Sequence, residues 1–163
     1  MILQIVNKKQ SKNIQISKMS EKFKNIAIYK TYSKTENLEN IRNFVFKNSI
    51  QFGFDNYKAE EIVLAVDEAC TNLIKHGYKY KFTENITIDI KCKDSQFIVN
   101  IIDNSQPFDP REIIDPDLEK YRNEYRKGGL GIFIMKSLVD NIDYKSTQNG
   151  KIKNILTLTK HLS

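Results

Sequence analysis

The run Tyr57–Tyr78, YKAEEIVLAVDEACTNLIKHGY, constrains this chain more than any other stretch. Its apolar residues, Ala59, Ile62, Val63, Val66, Ala69, Cys70, Leu73 and Ile74, recur at three- and four-residue steps. At about 100° per residue they fall on one arc of a single long helix. Glu60, Asp67, Thr71 and Lys75 lie mostly opposite. Glu68 and Asn72, one turn apart, sit on a flank of the arc. A carboxylate and an amide there form either a boundary pair facing water, as glutamate mostly does, or the wall of a pocket beside the core.

The elements around this helix follow from local patterns. Ile26, Ile28, Lys30 and Tyr32 alternate with Ala27, Tyr29 and Thr31, which predicts a strand from about residue 26. Ser33-Lys34-Thr35-Glu36 has the spacing of a capping box, and Leu38, Ile41, Phe44, Val45 and Phe52 follow as a helical stripe stopped by Gly53. Asp55 or Asn56 caps the long helix, Glu60 and Glu61 suit the dipole at its start, and Gly77 ends it. Ile86, Ile88, Ile90 and Cys92 alternate with Thr87, Asp89, Lys91 and Lys93, the mark of a sheet with one wet face. After a turn at 93–96, residues 97–102 return as a strand ending at Asp103. A second hairpin, 142–147 and 152–160, closes around Asn149-Gly150, and a helix over 132–140 precedes it. Hairpins with helices grouped beside them predict an α/β (α+β) fold: a two-layer α/β sandwich whose sheet is mixed and mostly antiparallel.

Composition removes several classes of function. The 163 residues fit one domain, and no apolar run approaches the ~20 residues a membrane helix needs. The lysine-rich start has no apolar core of a secretory signal. Cys70 and Cys92 fall on positions that read as buried, and with His76 and His161 they make no metal spacing, which favours a reducing cytoplasm. The net charge of +6 belongs largely to residues 1–25, where six lysines face only Glu21. A nucleic-acid-binding domain carries its basic stripe on the folded body, so the expectation is a basic, mobile leader over 1–25, a domain over 26–163 and no direct nucleic-acid contact. Met19 reads equally well as a start, with 1–18 as an upstream extension.

The stretch 104–127 is irregular. Pro107, Pro110 and Pro116 all lie between its start and residue 116, so neither helix nor strand runs through it. Loops this long in compact domains are usually functional or disordered. It closes on Lys127-Gly128-Gly129-Leu130-Gly131, which holds three of the six glycines. Glycines before a helix either make a tight turn or let backbone N–H groups point at an anion. No Walker A, H-R-D or D-F-G motif is present.

Taken in order, Glu68-x-x-x-Asn72, Asp103-Asn-Ser-Gln-Pro-Phe-Asp109-Pro and Gly128-Gly-Leu-Gly131 resemble the N, G1 and G2 boxes of the GHKL ATPases. The wording DEACTNLIKHG and the run PFDP most resemble the anti-sigma-factor serine kinases of that superfamily, over about residues 26–160. The resemblance implies a Bergerat-type ATP site between sheet and helices, with the long loop as an ATP lid. It implies that Asn72 coordinates Mg²⁺, that Glu68 is the general base toward the accepting hydroxyl, and that Asp103 accepts from the adenine amino group. Gly128, Gly129, Leu130 and Gly131 would hold the phosphates through backbone N–H groups. Lys75, Arg126 and Lys127 would supply charge at a phosphate, Phe108 and Ser105 would belong to the pocket, and Thr157 would sit in the sheet near the adenine. Phosphoryl transfer needs mostly positioning and charge neutralisation, which suits such a set.

The chain departs from the pattern at Ser105, where the G1 box usually has glycine and a serine tightens or reshapes the base pocket. The implied activity is that of a cytoplasmic ATP-dependent serine/threonine kinase. It would sequester a sigma factor and phosphorylate a small anti-sigma-factor antagonist protein, and a homodimer is compatible with it. The alternatives are a GHKL switch kinase with a non-sigma partner and a nucleotide-dependent binding module. Glu68 separates them, because a module needs only Asn72, Asp103 and the glycines.

Overall fold

The computed structural model describes residues 24–118, 130–149, 151 and 153–162. Strand β1 (Lys24–Tyr32) leads through a short 3-10 turn to α1 (Leu38–Phe52) and α2 (Asn56–Asn72). The hairpin β2 (Asn85–Lys93) and β3 (Gln96–Asp103) follows. Beyond the proline-rich segment come α3 (Gly131–Leu138) and the hairpin β4 (Asn141–Thr147) and β5 (Lys153–His161). The five strands lie in the order β1-β2-β3-β5-β4, and every pairing is antiparallel. The basic leader lies outside the described residues up to residue 23, and β1 begins two residues earlier than the alternation indicates.

The long helix forms where its periodicity places it. Asp55, extended at ψ 171, accepts from the Lys58 N–H at 2.8 Å and caps it. Glu60 and Glu61 fall in its second turn rather than its first, and Glu61 instead bonds Lys58 and Lys160, each at 3.0 Å. The last turn, Leu73–Gly77, widens to π-helix. Gly53 ends α1 at φ 122, a left-handed conformation that glycine adopts without strain.

The expected capping box is not made. Ser33 is fully buried and its hydroxyl donates to the Lys81 carbonyl, so no capping box forms; Asn37, the residue before α1, makes no side-chain cap either. The last helix ends at Leu138, two residues early, because Val139 is extended and the Asp140 carboxylate turns to accept from the His161 N–H at 2.7 Å.

Helix α2 lies between α1 and α3, and the three cover one face of the sheet. That face carries Ile86, Ile88 and Ile90 from β2, Phe97, Val99 and Ile101 from β3, and Leu158 from β5, all buried. Each such side chain stabilises the fold by about 1.5–3 kcal/mol when fully buried. Phe52, Phe54 and Phe97 close one end of the core, with ring centroids 5.4–5.8 Å apart. Cys70 is fully buried and Cys92 half-buried; burial pushes both thiols up, Cys92 to about 11, so both are protonated at neutral pH.

Candidate active site

A cleft of about 910 Å³ opens between α2, α3 and the ends of β3, β4 and β5. Its base is Asp103, the last residue of β3, 8% exposed. One carboxylate oxygen, Oδ1, accepts from the Ser105 N–H at 2.7 Å and from Asn154 Nδ2 at 2.9 Å. Asn154, 1% exposed on β5, also donates to the Ser105 carbonyl at 2.9 Å, while Ser146 Oγ donates to Asn154 Oδ1 at 2.8 Å. Two donors on one oxygen fix the plane of the carboxylate against the cleft.

The irregular backbone after β3 is tied down in the same way. Tyr78, at the end of the π turn, donates its hydroxyl to the Asn85 carbonyl at 2.8 Å and accepts from the Asn104 N–H at 3.0 Å. Burial pushes this phenol up to about 12, so it stays protonated. Tyr144 accepts from the Phe108 N–H at 2.9 Å, and burial raises it as well. Ser105 is buried against Gly77, where an added Cβ would meet Ser105 Oγ at 2.9 Å and Leu73 Cδ1 at 2.8 Å. The serine in the G1 segment is therefore accommodated by a glycine across the cleft.

At the other end stand Glu68 and Asn72, both half-buried on α2 and both lining the cleft. Gly131, the first residue of α3, meets them: a Cβ there would collide with Glu68 Oε2 and lie 3.4 Å from Asn72 Nδ2. Glycine lets the α3 N-terminus approach the pair without displacing the Glu68 carboxylate. Leu130, Lys75 and Phe108 also line the cleft, Lys75 and Phe108 with their side chains exposed.

The structure thus brings together Glu68, Asn72, Lys75, Asp103, Ser105, Phe108, Leu130 and Gly131. Arg126, Lys127, Gly128 and Gly129 lie outside the described residues. Thr157 is not brought to the cleft. It pairs with Asn100 across β5 and β3 and donates to Asn100 Oδ1 at 2.8 Å, on the sheet face turned away from the helices. The period of two along β5 gives the cleft face to Asn154 and Leu156 instead. Asn154, Tyr144 and Gly77 escape sequence reading because only the strand register and the packing give them a role.

Residues 31–160 match the family described as the histidine kinase-like ATPase domain. The chain belongs to that family. Serine-protein kinase RsbW of Bacillus cereus is 30% identical over 128 residues, covering 76% of this chain and 79% of that protein. RsbW of Halalkalibacterium halodurans is 31% identical over 119 residues, 71% of this chain and 68% of that protein. RsbW of Listeria monocytogenes serovar 1/2a is 32% identical over 94 residues, and that match spans only 60% of its length.

In fold, the chain resembles a solved structure of the SiaB–SiaC complex of Pseudomonas aeruginosa, with TM-score 0.61 and 14% identity over 97% of this chain and 98% of that one. It also resembles the RsbU and RsbW domains of a Mycobacterium tuberculosis protein, with TM-score 0.57 and 16% identity over 84% of this chain and 33% of that one. As a histidine kinase-like ATPase domain it binds ATP. Among the described residues no helix is long and apolar enough to cross a membrane.

Proposed function

We propose that this protein is a cytoplasmic serine/threonine kinase that sequesters a sigma factor and phosphorylates that factor's small antagonist protein. The observation that carries the catalytic part is the meeting of Glu68, Asn72 and Gly131 at the end of the cleft away from Asp103. Asp103, fixed by Ser105 and Asn154, accepts from the adenine amino group. The γ-phosphoryl group then reaches the α2–α3 end, where Lys75 and the N-terminus of α3 favour negative charge. Arg126, Lys127, Gly128 and Gly129 complete the phosphate contacts in this reading.

Glu68 takes the proton of the accepting serine hydroxyl as its oxygen bonds to phosphorus and the bond to the bridging oxygen of ADP breaks. Asn72 would hold Mg²⁺, and the ion would supply neutralisation of phosphate charge. Among the described residues no cluster of three or more His, Cys, Asp or Glu side chains forms a cage for a metal. The Asn72 side-chain amide, which lines the cleft, offers the hard oxygen donor that Mg²⁺ takes. A binding module would use Asp103 and Asn72 and leave Glu68 without a role.

The decisive experiment passes cytosol over the immobilised protein with and without Mg-ATP, followed by phosphosite mapping of what is retained. The expected result is a small protein, phosphorylated on serine or threonine only when Mg-ATP is present, and a sigma factor held without being phosphorylated. Retention of partners with no phosphate transferred to any of them would leave the module reading in its place.

A further inference from the structure

We propose that the loop Lys79–Phe82 is a docking surface for an acidic segment of the protein this kinase phosphorylates, an inference that rests on the kinase reading above. The loop starts where the π turn ends at Gly77, directly after Lys75 and His76, which line the cleft. Its backbone is anchored at Tyr80 and Lys81. The Tyr80 N–H donates to the Ile74 carbonyl at 2.9 Å, the Lys81 N–H donates to the Tyr78 carbonyl at 2.9 Å, and the Ser33 hydroxyl donates to the Lys81 carbonyl.

Within this fixed frame Lys79 and Tyr80 stand consecutively at φ 49 and 60. Neither residue is among the types that visit left-handed backbone readily, and such conformations persist where the surroundings over-determine them, commonly at ligand clamps. Their consequence is to hold two aromatic rings in water. Tyr80 is 49% exposed and Phe82 45%, with centroids 6.3 Å apart at 68°, while the neighbouring Tyr78 is buried. Lys79 and Lys81 alternate with the rings and are exposed.

Rigid exposed aromatics are efficient interface anchors, because little side-chain freedom is lost when they are covered. The flanking ammonium groups select the sign of the partner and raise its encounter rate. The chemistry that fits is a carboxylate-bearing segment with an apolar side chain to cover the rings. A single-stranded nucleic acid fits less well. It needs a continuous basic groove and ring faces open for stacking, whereas these rings are set edge-on to each other and Glu84 follows them.

The test uses the full chain and three fluorescein-labelled probes: a 12-residue peptide alternating Glu or Asp with Leu or Phe, its lysine counterpart, and a 12-residue oligothymidylate. Anisotropy gives their affinities, and calorimetry with ATP checks that each variant keeps its cleft. The acidic peptide should bind saturably and at least about tenfold more tightly than the lysine peptide. The double variant Tyr80→Ala/Phe82→Ala and the double variant Lys79→Glu/Lys81→Glu should each lose about tenfold or more. Tyr80→Phe should retain binding, and ATP affinity should stay within about twofold throughout.

Equal affinity for the two peptides, tighter binding of the oligothymidylate, or unchanged binding by both double variants would overturn the assignment. Weakened self-association of the variants, with no change toward the acidic peptide, would assign the patch to a second copy and overturn it as well. Phosphate transfer by a parent protein that ignores the acidic peptide sinks the surface alone. Peptide binding with no transfer to any protein sinks the kinase reading instead.

Discussion

The two ends of the cleft are built to different standards. At the end that the proposed function gives to the adenine, the base end, Asp103 is 8% exposed and accepts two hydrogen bonds on one oxygen, from donors that are themselves buried and partnered. At the end it gives to the phosphates, Glu68 and Asn72 are half-buried, and among the described residues no hydrogen bond fixes either side chain. A preformed group costs little ordering when a ligand arrives, so under that proposal specificity should reside at the Asp103 end. Groups left adaptable reach their working geometry only when the reacting partners are in place. Recognition of the nucleotide and transfer of its phosphoryl group should therefore be separable by mutation.

The largest expected effect tests that separation directly. Glu68→Gln keeps size and much hydrogen bonding but removes the base, so phosphorylation of the protein substrate should fall by about 10²–10⁴-fold. ATP affinity should change little, because Asp103, Asn72 and the glycine backbone remain. Asn72→Ala should differ by losing productive nucleotide binding along with turnover. Radiolabelled transfer assays and calorimetry on both variants decide it, and near-normal turnover by Glu68→Gln would erase the contrast between the ends.

At the base end the effect should be smaller and confined to binding. In Asp103→Asn the side-chain oxygen can still accept from Ser105 and Asn154, which turns the new NH₂ group toward the base. A donor then faces the adenine amino group, also a donor, and ATP should bind more than tenfold more weakly, a loss above about 1.4 kcal/mol. GTP should bind the parent poorly, since its carbonyl cannot donate to a carboxylate. Calorimetry with both nucleotides checks this, and equal affinities for ATP and GTP would refute it.

The same contrast marks how far the sequence could be read. A period of 3.6 places α2 and a period of 2 places β2, because burial of one face decides each of them, while the Asn149-Gly150 pair marks the second hairpin. The motif residues Glu68, Asn72, Asp103 and Gly131 meet in one cleft, although each is ambiguous alone. What sequence cannot show is the register between distant strands. Asn154 reads as an ordinary strand residue until pairing with Asp103 places it beneath the carboxylate, and the same pairing sends Thr157 to the far face. Ser33 fails as a cap for a similar reason, since a loop 48 residues away offers its buried hydroxyl a carbonyl.

The smallest expected effect concerns the segment that joins the two ends. Three prolines and three glycines suggest a lid loose from Asn104 onward, yet its first part is fastened. Arg111 pairs with Asp109 at 2.7 Å and with Asp143 at 2.8 Å, and Lys136 donates to the Ile113 carbonyl at 2.6 Å. The guanidinium holds the Asp109 carboxyl below its usual range, so the clamp persists at neutral pH and weakens only in acid, as pH falls through that depressed value. Trypsin should therefore spare Arg111 and cut first at Lys120, Arg122, Arg126 or Lys127, and Mg-ATP should slow those cuts by engaging the glycines that follow. Arg111→Gln should open Arg111's neighbourhood only modestly. Its side chain is 44% exposed, and exposed pairs contribute up to about 1 kcal/mol, so release of a fluorescent ATP analogue in stopped flow should quicken by no more than about fivefold. Rapid cleavage at Arg111 in the parent protein would show instead that the base end, too, is assembled only when the nucleotide binds.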